Sequence, residues 1–406
     1  MKIHYTPRDY WHYLRMAHRN RLRQKYWGKR FEAALLNKSY TIPHAPMVQI
    51  IPTEACNLRC LMCNQWGETG YLPNGARQVQ HMDKDGLTAL MRSLSPRDTL
   101  LSIHGGEPFV YKHIDLLLEL TQEKRMDVII STNGTLLEEH LAPLGRIENL
   151  VILLSVDGDR ETHDKIRGQG RFEQLKKGLA ALFQWRRRRG MPLPMVIMNF
   201  VVCEWNTGII EKTRAVAREL GVFVLNLNMR WFVTEEVGAS YEAHLLEYFR
   251  IKSCGAWRGL ISRHSDHDYK PACAALRALR EKKNLFVFPP YIAVTPTQLR
   301  GRNFETYFSG SENVFGCESC FMPFYWARIH SNGDLVYCPG NPDIIAGNVL
   351  ESGLTEALNS GISVQFRKHI LHHRLPICSR CCGLYVNTAA RPYEQKVRRK
   401  LGLEAI

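Results

Sequence analysis

The loop after the first apolar run of this 406-residue chain reads Cys56-Asn-Leu-Arg-Cys60-Leu-Met-Cys63. Three cysteines at the spacing CxxxCxxC can each ligate one iron of a cubane [4Fe–4S] cluster, which leaves its fourth iron without a protein ligand. Electron-carrying clusters of this kind generally use four cysteines. The spacing therefore predicts an iron that is open to a substrate or cofactor. A zinc knuckle without its fourth ligand is the alternative interpretation of this loop.

Short apolar runs and helical patterns alternate from about residue 47 onward. The alternation predicts an α/β fold with a parallel sheet and right-handed crossovers, either open or curled toward a barrel. Beyond residue 230 we expect the alternation to stop. The predicted strands are Met47–Pro52, Thr99–His104, Asp127–Thr132, Leu150–Val156, Met195–Val202 and Val222–Leu227, and helical patterns between them include Asp115–Arg125, Phe172–Trp185 and Ile209–Leu220.

Three of these runs end in small or polar residues. Parallel sheets bind ligands at the carboxyl ends of their strands, so these ends are candidate site residues. The motifs are His104-Gly105-Gly106-Glu107-Pro108, Ser131-Thr132-Asn133-Gly134 and Ser155-Val156-Asp157-Gly158, and His163-Asp164-Lys165-Ile166-Arg167-Gly168 follows the last of them.

Together with the cysteine loop, these motifs resemble those of the radical S-adenosylmethionine (SAM) superfamily, and the resemblance extends along residues 47–230. It implies a partial (β/α)6 TIM barrel in which SAM chelates the open iron. An electron from the cluster then cleaves SAM to methionine and a 5′-deoxyadenosyl radical, which abstracts a substrate hydrogen. The protein contributes positioning and shielding to this chemistry. Met62 departs mildly from the family pattern, since many members carry an aromatic residue there.

The resemblance also implies which residues contact SAM. The motif Gly105, Gly106, Glu107 and Pro108 would receive the methionine ammonium, with Glu107 or neighbouring carbonyls accepting its hydrogen bonds. Arg167 would pair with the SAM carboxylate through its bidentate fork. The remaining cofactor-binding candidates are Asn133, Ser155 and Asp157, although turn chemistry also favours Asn-Gly and Asp-Gly pairs.

A second group of cysteines lies near the C-terminus. Its two CxxC pairs permit a zinc ribbon on Cys317, Cys320, Cys378 and Cys381. The group also resembles the auxiliary-cluster extension of radical SAM enzymes, called SPASM when it holds two clusters and twitch when it holds one. That resemblance implies a small domain, a β-hairpin plus a helix, with a second [4Fe–4S] cluster for electron transfer. Its ligands would be Cys320, Cys338, Cys378 and Cys381, with Cys317 and Cys382 spare or exchanging with a neighbour.

The net charge of +15 is concentrated at the two ends of the chain, since residues 1–46 and 391–406 carry +11 of it. No recognisable nucleic-acid module accompanies this charge, so we expect no nucleic-acid partner. Thr6-Pro7 predicts the start of an N-terminal helix that interleaves aromatic residues with arginines. That helix either touches an anionic lipid surface or packs on the body with a solvated basic face.

The twelve cysteines indicate a reducing compartment, and neither a signal peptide nor a membrane-length apolar run is evident. We therefore expect a cytoplasmic protein, with a peripheral contact to the membrane as the open alternative. The expected partners are an electron donor such as flavodoxin or ferredoxin and a small-molecule, lipid-linked or peptide substrate. With only 46 residues before the barrel, we expect no leader-binding domain.

We divide the chain into an N-terminal helix and linker, a barrel, an insert, an auxiliary domain and a basic tail. The insert either covers the substrate or forms a surface loop rich in His and Asp. No catalytic acid or base can be named, and Glu235, Glu236 and Asp268 are only candidates. The five segments are 1–46, 47–230, 231–315, 316–390 and 391–406.

These features predict a radical SAM oxidoreductase that dehydrogenates, epimerises or similarly modifies a sugar or cyclitol, a lipid-linked metabolite or another small molecule. A leader-independent peptide or protein maturase is one alternative. A radical SAM methylase or sulfur-inserting enzyme is another. A non-catalytic binding protein with a zinc ribbon on a degenerate barrel represents a different class.

Overall fold

The structure is a computed structural model that describes residues 5–261, 267–281, 291–295, 303–309, 313–317, 319–381, 383–384 and 399. Its strands are β1 (Met47–Ile50), β2 (Leu100–Ile103), β3 (Val128–Thr132), β4 (Leu150–Ser155), β5 (Met195–Val202), β6 (Val224–Met229), β7 (Tyr291–Thr295), β8 (Trp326–Ile329), β9 (Asp334–Val336) and β10 (Ile345–Asn348). Its helices are α1 (Pro7–Leu36), α2 (Lys84–Ser93), α3 (Ile114–Glu123), α4 (Leu141–Arg146), α5 (Arg160–Arg167), α6 (Arg171–Arg188), α7 (Thr213–Glu219), α8 (Glu235–Phe249), α9 (Lys270–Glu281), α10 (Asn303–Phe308), α11 (Met322–Tyr325), α12 (Val349–Ser352), α13 (Leu354–Leu358) and α14 (Gly361–His372).

These strands form one sheet in the order β10-β9-β8-β1-β2-β3-β4-β5-β6-β7. Strands β1 to β7 pair in parallel, and β8 joins them parallel to β1. Strands β8, β9 and β10 form an antiparallel meander at the other edge. The α/β fold with a partial barrel is thereby confirmed, and the predicted hairpin around Gly333 is an extension of the barrel sheet.

The expectation that the alternation stops after residue 230 is wrong. Strand β6 is followed by helices α8 and α9 and then by β7, which pairs parallel to β6 with Asn226 opposite Ala293. In the sequence, the five-residue run of β7 lies between Pro290 and Pro296. Prolines on both sides of so short a run are typical of a loop, so the local pattern does not predict a strand here.

Successive residues of a strand point to opposite faces of the sheet. One set is almost completely buried beneath the helices and includes Ile152, Leu154, Met198 and Phe200. The alternate set is partly exposed and faces the interior of the curled sheet. Toward the carboxyl ends of the strands this interior set becomes polar, and its members there are Ser131, Ser155, Asn199, Asn226 and Asn228. We call this end the barrel mouth and the opposite end the barrel floor.

Helix α1 starts as predicted. The Thr6 hydroxyl accepts a hydrogen bond from the Asp9 backbone N–H, the Asp9 carboxylate accepts one from the Thr6 N–H, and Pro7 occupies the first turn. This reciprocal arrangement is a capping box, which satisfies donors that a helix start otherwise leaves without partners. Helix α1 is 30 residues long.

Helix α1 lies across the barrel floor. The Tyr13 hydroxyl donates to the carbonyl of Leu193, 3.1 Å away, just before β5. Arg19 and Arg23 both donate to Asp127, just before β3, with N–O distances of 2.7 and 2.6 Å. Further along α1, the Trp27 indole donates to the carbonyl of Phe324, just before β8, at 2.8 Å. All these partners precede strands, so α1 closes the end of the barrel opposite the mouth.

Of the two interpretations of α1, packing on the body is therefore confirmed for its inner face. The expected basic tail, residues 391–406, lies outside the described residues except for residue 399. Among the helices that the structure describes, none is sufficiently long and apolar to cross a membrane.

Candidate active site and second cysteine site

The cysteine loop (Cys56–Cys63) leaves the mouth end of β1. Each of its three sulfurs receives an N–H group: Cys56 from the backbone of Leu58 at 3.4 Å, Cys63 from the backbone of Trp66 at 3.3 Å, and Cys60 from the Arg167 guanidinium at 3.7 Å. Donors aimed at sulfur favour the thiolate form, which is the form that ligates metals.

Burial disfavours the charged thiolate form of these cysteines. Burial first, and the neighbouring cysteines to a smaller extent, raise the pKa of Cys56 to about 12 and that of Cys60 to about 11. Three mutually repelling thiolates in one buried loop become stable when a shared cation neutralises them, because a coordinating thiol gives up its proton outright. The donor set and its N–H groups therefore fit an iron–sulfur cluster held by three cysteines.

Strand β2 delivers the glycine motif against the cysteine loop. A Cβ atom added at Gly106 would lie 2.2 Å from the Ala55 carbonyl oxygen and 2.3 Å from that of Glu54. The backbone of Glu107 donates to the Ala55 carbonyl at 2.8 Å. Only glycine fits at position 106, because two backbone segments approach each other closely there. The motif holds the start of the cysteine loop against the end of β2.

The Glu107 carboxylate is buried and accepts hydrogen bonds from neighbouring groups of the protein. Its oxygens accept hydrogen bonds from the Thr132 hydroxyl at 2.8 Å, the Asn133 N–H at 2.8 Å and the Phe109 N–H at 3.2 Å. Burial raises its pKa to about 7 despite these donors. Because Glu107 ties the end of β2 to the end of β3, the backbone carbonyls beside it are better placed than the carboxylate to receive an ammonium group.

We expect Glu107→Gln to weaken SAM binding by about tenfold and to lower the free energy of unfolding by about 1–3 kcal/mol. Both carboxylate oxygens accept hydrogen bonds, so an amide must turn its NH2 group toward a donor. Calorimetric titration with SAM and denaturant unfolding measure the two effects. Glu139→Gln, on an exposed side chain, is the matched control. Equal SAM affinity in both variants would contradict this role.

Asp157 and Arg167 form a buried ion pair. The Arg167 Nε donates to Asp157 at 2.5 Å, while its Nη1 contacts the Cys60 sulfur. The second oxygen of Asp157 accepts the Val201 N–H at 3.1 Å. Asp157 thereby aims the guanidinium of Arg167 at the cysteine loop, which suits the predicted contact with the SAM carboxylate.

Asn133 links the end of β3 to the cysteine loop. Its amide donates to the Asn57 side chain at 2.9 Å, and its oxygen accepts the Thr135 N–H at 2.9 Å. The second contact is the expected turn chemistry. Ser155 lies partly exposed at the end of β4, facing the barrel interior. Together with Pro108, which starts the short turn Pro108–Val110, the candidate SAM residues all lie at the barrel mouth.

The second cysteine site is a cavity of about 340 Å³. Four cysteines line it, and the thiols of Cys338 and Cys378 are close enough to the others for mutual repulsion. Burial is the largest cause that raises the pKa values of Cys338 and Cys378 well above the usual value for a thiol. We call it the four-cysteine cavity, and its cysteines are Cys320, Cys338, Cys378 and Cys381.

This geometry argues against the zinc ribbon. Cys317, which that interpretation requires, is buried in the core but is not among the residues that line the cavity. A single zinc ion needs its ligands converging at about 2.3 Å, and within the described residues no three His, Cys, Asp or Glu side chains are arranged around one metal ion. A cavity with four cysteines spread around its wall fits a polynuclear cluster. Cys382 lies outside the described residues.

Glu54 is a feature that sequence reasoning missed. It is buried two residues before Cys56 and accepts hydrogen bonds from His330 at 3.2 Å, Ser331 at 2.5 Å and the Gln80 N–H at 3.1 Å. Burial acts to raise the pKa of Glu54, but the hydrogen bonds of His330 and Ser331 outweigh it and lower this pKa. Glu54 thus connects the cysteine loop to the hairpin that leads to Cys338.

The three acid or base candidates in the predicted insert lie at the starts of helices. Glu235 and Glu236 are exposed in the first turn of α8, and Asp268 accepts the Lys270 N–H at the start of α9. Acidic residues at helix starts stabilise the helix dipole, which accounts for all three. Trp231 lines a cavity of about 360 Å³ that includes Cys338, Cys378 and Cys381. His264 and Asp266 of the insert lie outside the described residues.

Comparison with known families agrees with this geometry. Residues 50–199 match the Radical SAM superfamily, and residues 320–382 match SPASM, an iron–sulfur cluster-binding domain. The chain thus contains a radical SAM domain and a SPASM domain, as the sequence predicts. The [4Fe–4S] clusters and SAM are therefore its cofactors, which confirms that prediction, and the zinc-ribbon interpretation is set aside.

Among curated relatives, the AdoMet-dependent heme synthase of Methanosarcina barkeri is 29% identical over 313 residues, which is 75% of this chain and 79% of the relative. The Fe-coproporphyrin III synthase of the same organism is 32% identical over 136 residues, and the match spans only 33% of that relative. These relatives are enzymes of differing reactions.

Among solved structures, Streptococcus suis SuiB bound to S-adenosylmethionine superposes with a TM-score of 0.58 at 18% identity, covering 88% of this chain and 75% of SuiB. The enzyme anSMEcpe with bound AdoMet superposes with a TM-score of 0.55 at 14% identity, covering 88% of this chain and 93% of that one. At such identities the likeness concerns the fold alone.

Proposed function

We propose that this protein is an oxidoreductase that removes a hydrogen atom from its substrate with SAM and passes an electron to a second [4Fe–4S] cluster. The observation that carries the proposal is the four-cysteine cavity. A cluster with four cysteine ligands has no open iron for SAM, so its role is electron transfer. Residues Trp231 and Phe232, which follow β6 at the barrel mouth, form part of the wall beside it.

The residues divide into three tasks under this proposal. Cys56, Cys60 and Cys63 hold the first cluster, and the four-cysteine cavity holds the second. The carbonyls of the Gly105–Pro108 motif receive the SAM ammonium, and Arg167, aimed by Asp157, receives its carboxylate. Asn133 and Ser155 line the remaining approach to SAM at the ends of β3 and β4. The supporting observation is that the cysteine loop and the candidate SAM residues lie together at the barrel mouth.

SAM bound at the open iron supplies the radical that takes the substrate hydrogen atom. The substrate then loses one electron and one proton, so it is oxidised by two electrons in total. We propose that the electron leaves through the four-cysteine cavity to an acceptor of the flavodoxin or ferredoxin type, and that such a carrier in the cytoplasm also reduces the first cluster. An epimerisation would instead return a hydrogen atom to the substrate and release no electron.

Arg328 supports an anionic substrate. It is buried on β8, on the interior face of the sheet. Burial, followed by the positive charge of Arg328, lowers the pKa of His104 to about 4. Burial raises the pKa of Cys381, and the charge of Arg328 opposes that rise. This cation therefore lies close to the end of β2 and to the four-cysteine cavity. A substrate carboxylate that paired with Arg328 would lie between the end of β2 and the four-cysteine cavity.

The match to the heme synthase supports a tetrapyrrole carboxylate as the substrate class, because it extends over most of both chains. Iron–coproporphyrin III is the probe we choose, and a short peptide represents the maturase alternative. With reconstituted enzyme, SAM and dithionite, the favoured probe should increase 5′-deoxyadenosine formation at least about tenfold over the uncoupled background. Stimulation by the peptide alone would favour the maturase, and labelled methyl transfer from SAM would favour a methylase.

Cys338→Ala tests the second cluster. We expect this variant to bind SAM and form 5′-deoxyadenosine at close to the wild-type rate while product formation falls by at least about a hundredfold, because the substrate radical then has no electron acceptor. Cys317→Ala is the matched control, since Cys317 does not line the cavity. Full product yield from Cys338→Ala, with loss in Cys317→Ala, would assign the ligand to Cys317 instead.

A further inference from the structure

The outward side of α1 combines apolar and basic side chains. Trp11 is 65% exposed, Leu14 62% and Leu22 53%, although such side chains are usually covered. We call this surface the outer face of α1. Its exposed apolar members are Tyr10, Trp11, Leu14, Leu22, Tyr26 and Leu36, and its exposed basic members are Arg15, Arg21, Lys25, Lys29 and Arg30.

These residues form one continuous stripe. At 3.6 residues per turn, Trp11, Arg15, Leu22, Lys25 and Lys29 fall within a narrow sector of the helix surface. From Trp11 to Lys29 the stripe is about 27 Å long at 1.5 Å per residue. A surface of this length with several large exposed apolar groups marks an interaction site on a folded protein.

The stripe cannot turn inward, because the opposite side of α1 is anchored. Arg23 is buried and bound to Asp127, and Trp27 is bound to the backbone before β8. Of the two acidic residues of α1, only Glu32 lies near the stripe, about one turn beyond Lys29. Asp9 is completely buried and paired with Arg187, and Glu32 is half-buried. The exposed charged side chains of the outer face are therefore all basic, and its net charge is positive.

The end of α6 extends the positive charge at the N-terminal end of α1. Arg8 donates to the carbonyl of Gly190 at 2.6 Å, which places it beside this end. Arg188 and Arg189 are exposed there, and the Arg189 guanidinium lies 3.9 Å above the Trp185 ring. On α1 the Arg30 guanidinium lies in the same way over the Tyr26 ring, 4.5 Å from its centroid.

We propose that the outer face of α1 binds an anionic phospholipid surface, with the helix lying parallel to it. The basic side chains pair with lipid phosphates, and Trp11, Leu14 and Leu22 enter the boundary between headgroups and acyl chains. Charge complementarity alone would also suit a nucleic acid or an acidic protein. The interleaved large apolar groups favour lipid, because a phosphate backbone offers them nothing to bury against.

Docking in this way orients the enzyme. Helix α1 covers the barrel floor, so a bilayer on its outer face leaves the barrel mouth directed away from the membrane. The substrate and the electron carrier then approach from the aqueous side. This anchoring is independent of the proposed reaction, since none of the stripe residues belongs to the candidate active site.

The test is co-sedimentation of the reconstituted full chain with vesicles of phosphatidylglycerol and phosphatidylcholine, and with phosphatidylcholine alone. We expect binding to the mixed vesicles that is at least about tenfold stronger than to the neutral ones and that weakens with salt. Lys25→Glu with Lys29→Glu should reduce binding at least tenfold, and Trp11→Ala with Leu14→Ala should do the same. Lys84→Glu with Lys368→Glu, on exposed positions elsewhere, makes the same charge change and should bind as wild type.

Three results would overturn the proposal. The wild-type chain could fail to bind mixed vesicles at low salt. The Trp11 and Leu14 double variant could bind as well as wild type, which would reduce the contact to non-specific attraction. A duplex or acidic polypeptide could bind more tightly than the vesicles through the same residues. In every stripe variant, SAM cleavage measured without vesicles should stay at the wild-type rate, which shows that the fold is intact.

Discussion

Cys60→Ala should abolish 5′-deoxyadenosine formation, with a loss of at least about a thousandfold. The same result is expected for Cys56→Ala, for Cys63→Ala and for the triple variant. Each sulfur occupies a position in which a neighbouring N–H group faces it, so no other side chain of the loop can replace it. Loss of one ligand leaves two thiolates, which are too few to hold the cluster and still present a defined open iron.

Two measurements and a control variant should accompany this experiment. Anaerobic reconstitution followed by iron and sulfide analysis should give about half of the wild-type content, because the second cluster is retained. Cys254→Ala removes an exposed cysteine from outside both sites and is the matched control. Circular dichroism checks the fold of each variant. Retained SAM cleavage in the triple variant would refute the assignment of this loop.

Asp127→Ala should lower the free energy of unfolding by about 3–5 kcal/mol, the largest stability effect we expect in this chain. The substitution leaves Arg23 buried without its carboxylate and removes the bidentate contact of Arg19. An uncompensated buried charge costs far more than the ion pair itself contributes. Because these contacts attach α1 to the barrel floor, the helix should also detach more readily.

Denaturant unfolding of the apoprotein measures the first effect, and the rate of tryptic cleavage within α1 measures the second. Asp115→Ala is the control, since Asp115 pairs with His140 at an exposed position where such a pair contributes less than about 1 kcal/mol. An unfolding midpoint equal to that of the control would show that Asp127 does not hold the helix.

The strands and motifs of the barrel were largely predictable. Residues Met195–Val202 form β5 with the predicted bounds, and the other five predicted strands are displaced by no more than about two residues. Their periodicity depends on neighbours within a few residues, and parallel pairing brings the ends of the strands to one edge. The positions of Glu107 and Arg167 at the barrel mouth follow from that rule.

The partners of Glu107 and Glu54 were not predictable in the same way. The sequence predicts that Glu107 or its neighbouring carbonyls receive the SAM ammonium, but it does not predict that the Glu107 carboxylate accepts hydrogen bonds from Thr132, Asn133 and Phe109. Glu54 meets His330, which is 276 residues away along the chain. Which buried polar groups satisfy one another is decided by packing, since every buried carboxylate must find donors somewhere.

By itself, the sequence determined the three-cysteine loop, the strand-end motifs and the presence of a second cysteine group, because ligands within one loop are held together by the covalent chain. Only the tertiary structure decided that Cys320 and Cys338, rather than Cys317, share a cavity with Cys378 and Cys381. It also decided that the basic N-terminal helix closes the barrel floor and turns its stripe outward. Contacts over such separations depend on how the whole chain packs, and no local spacing records them.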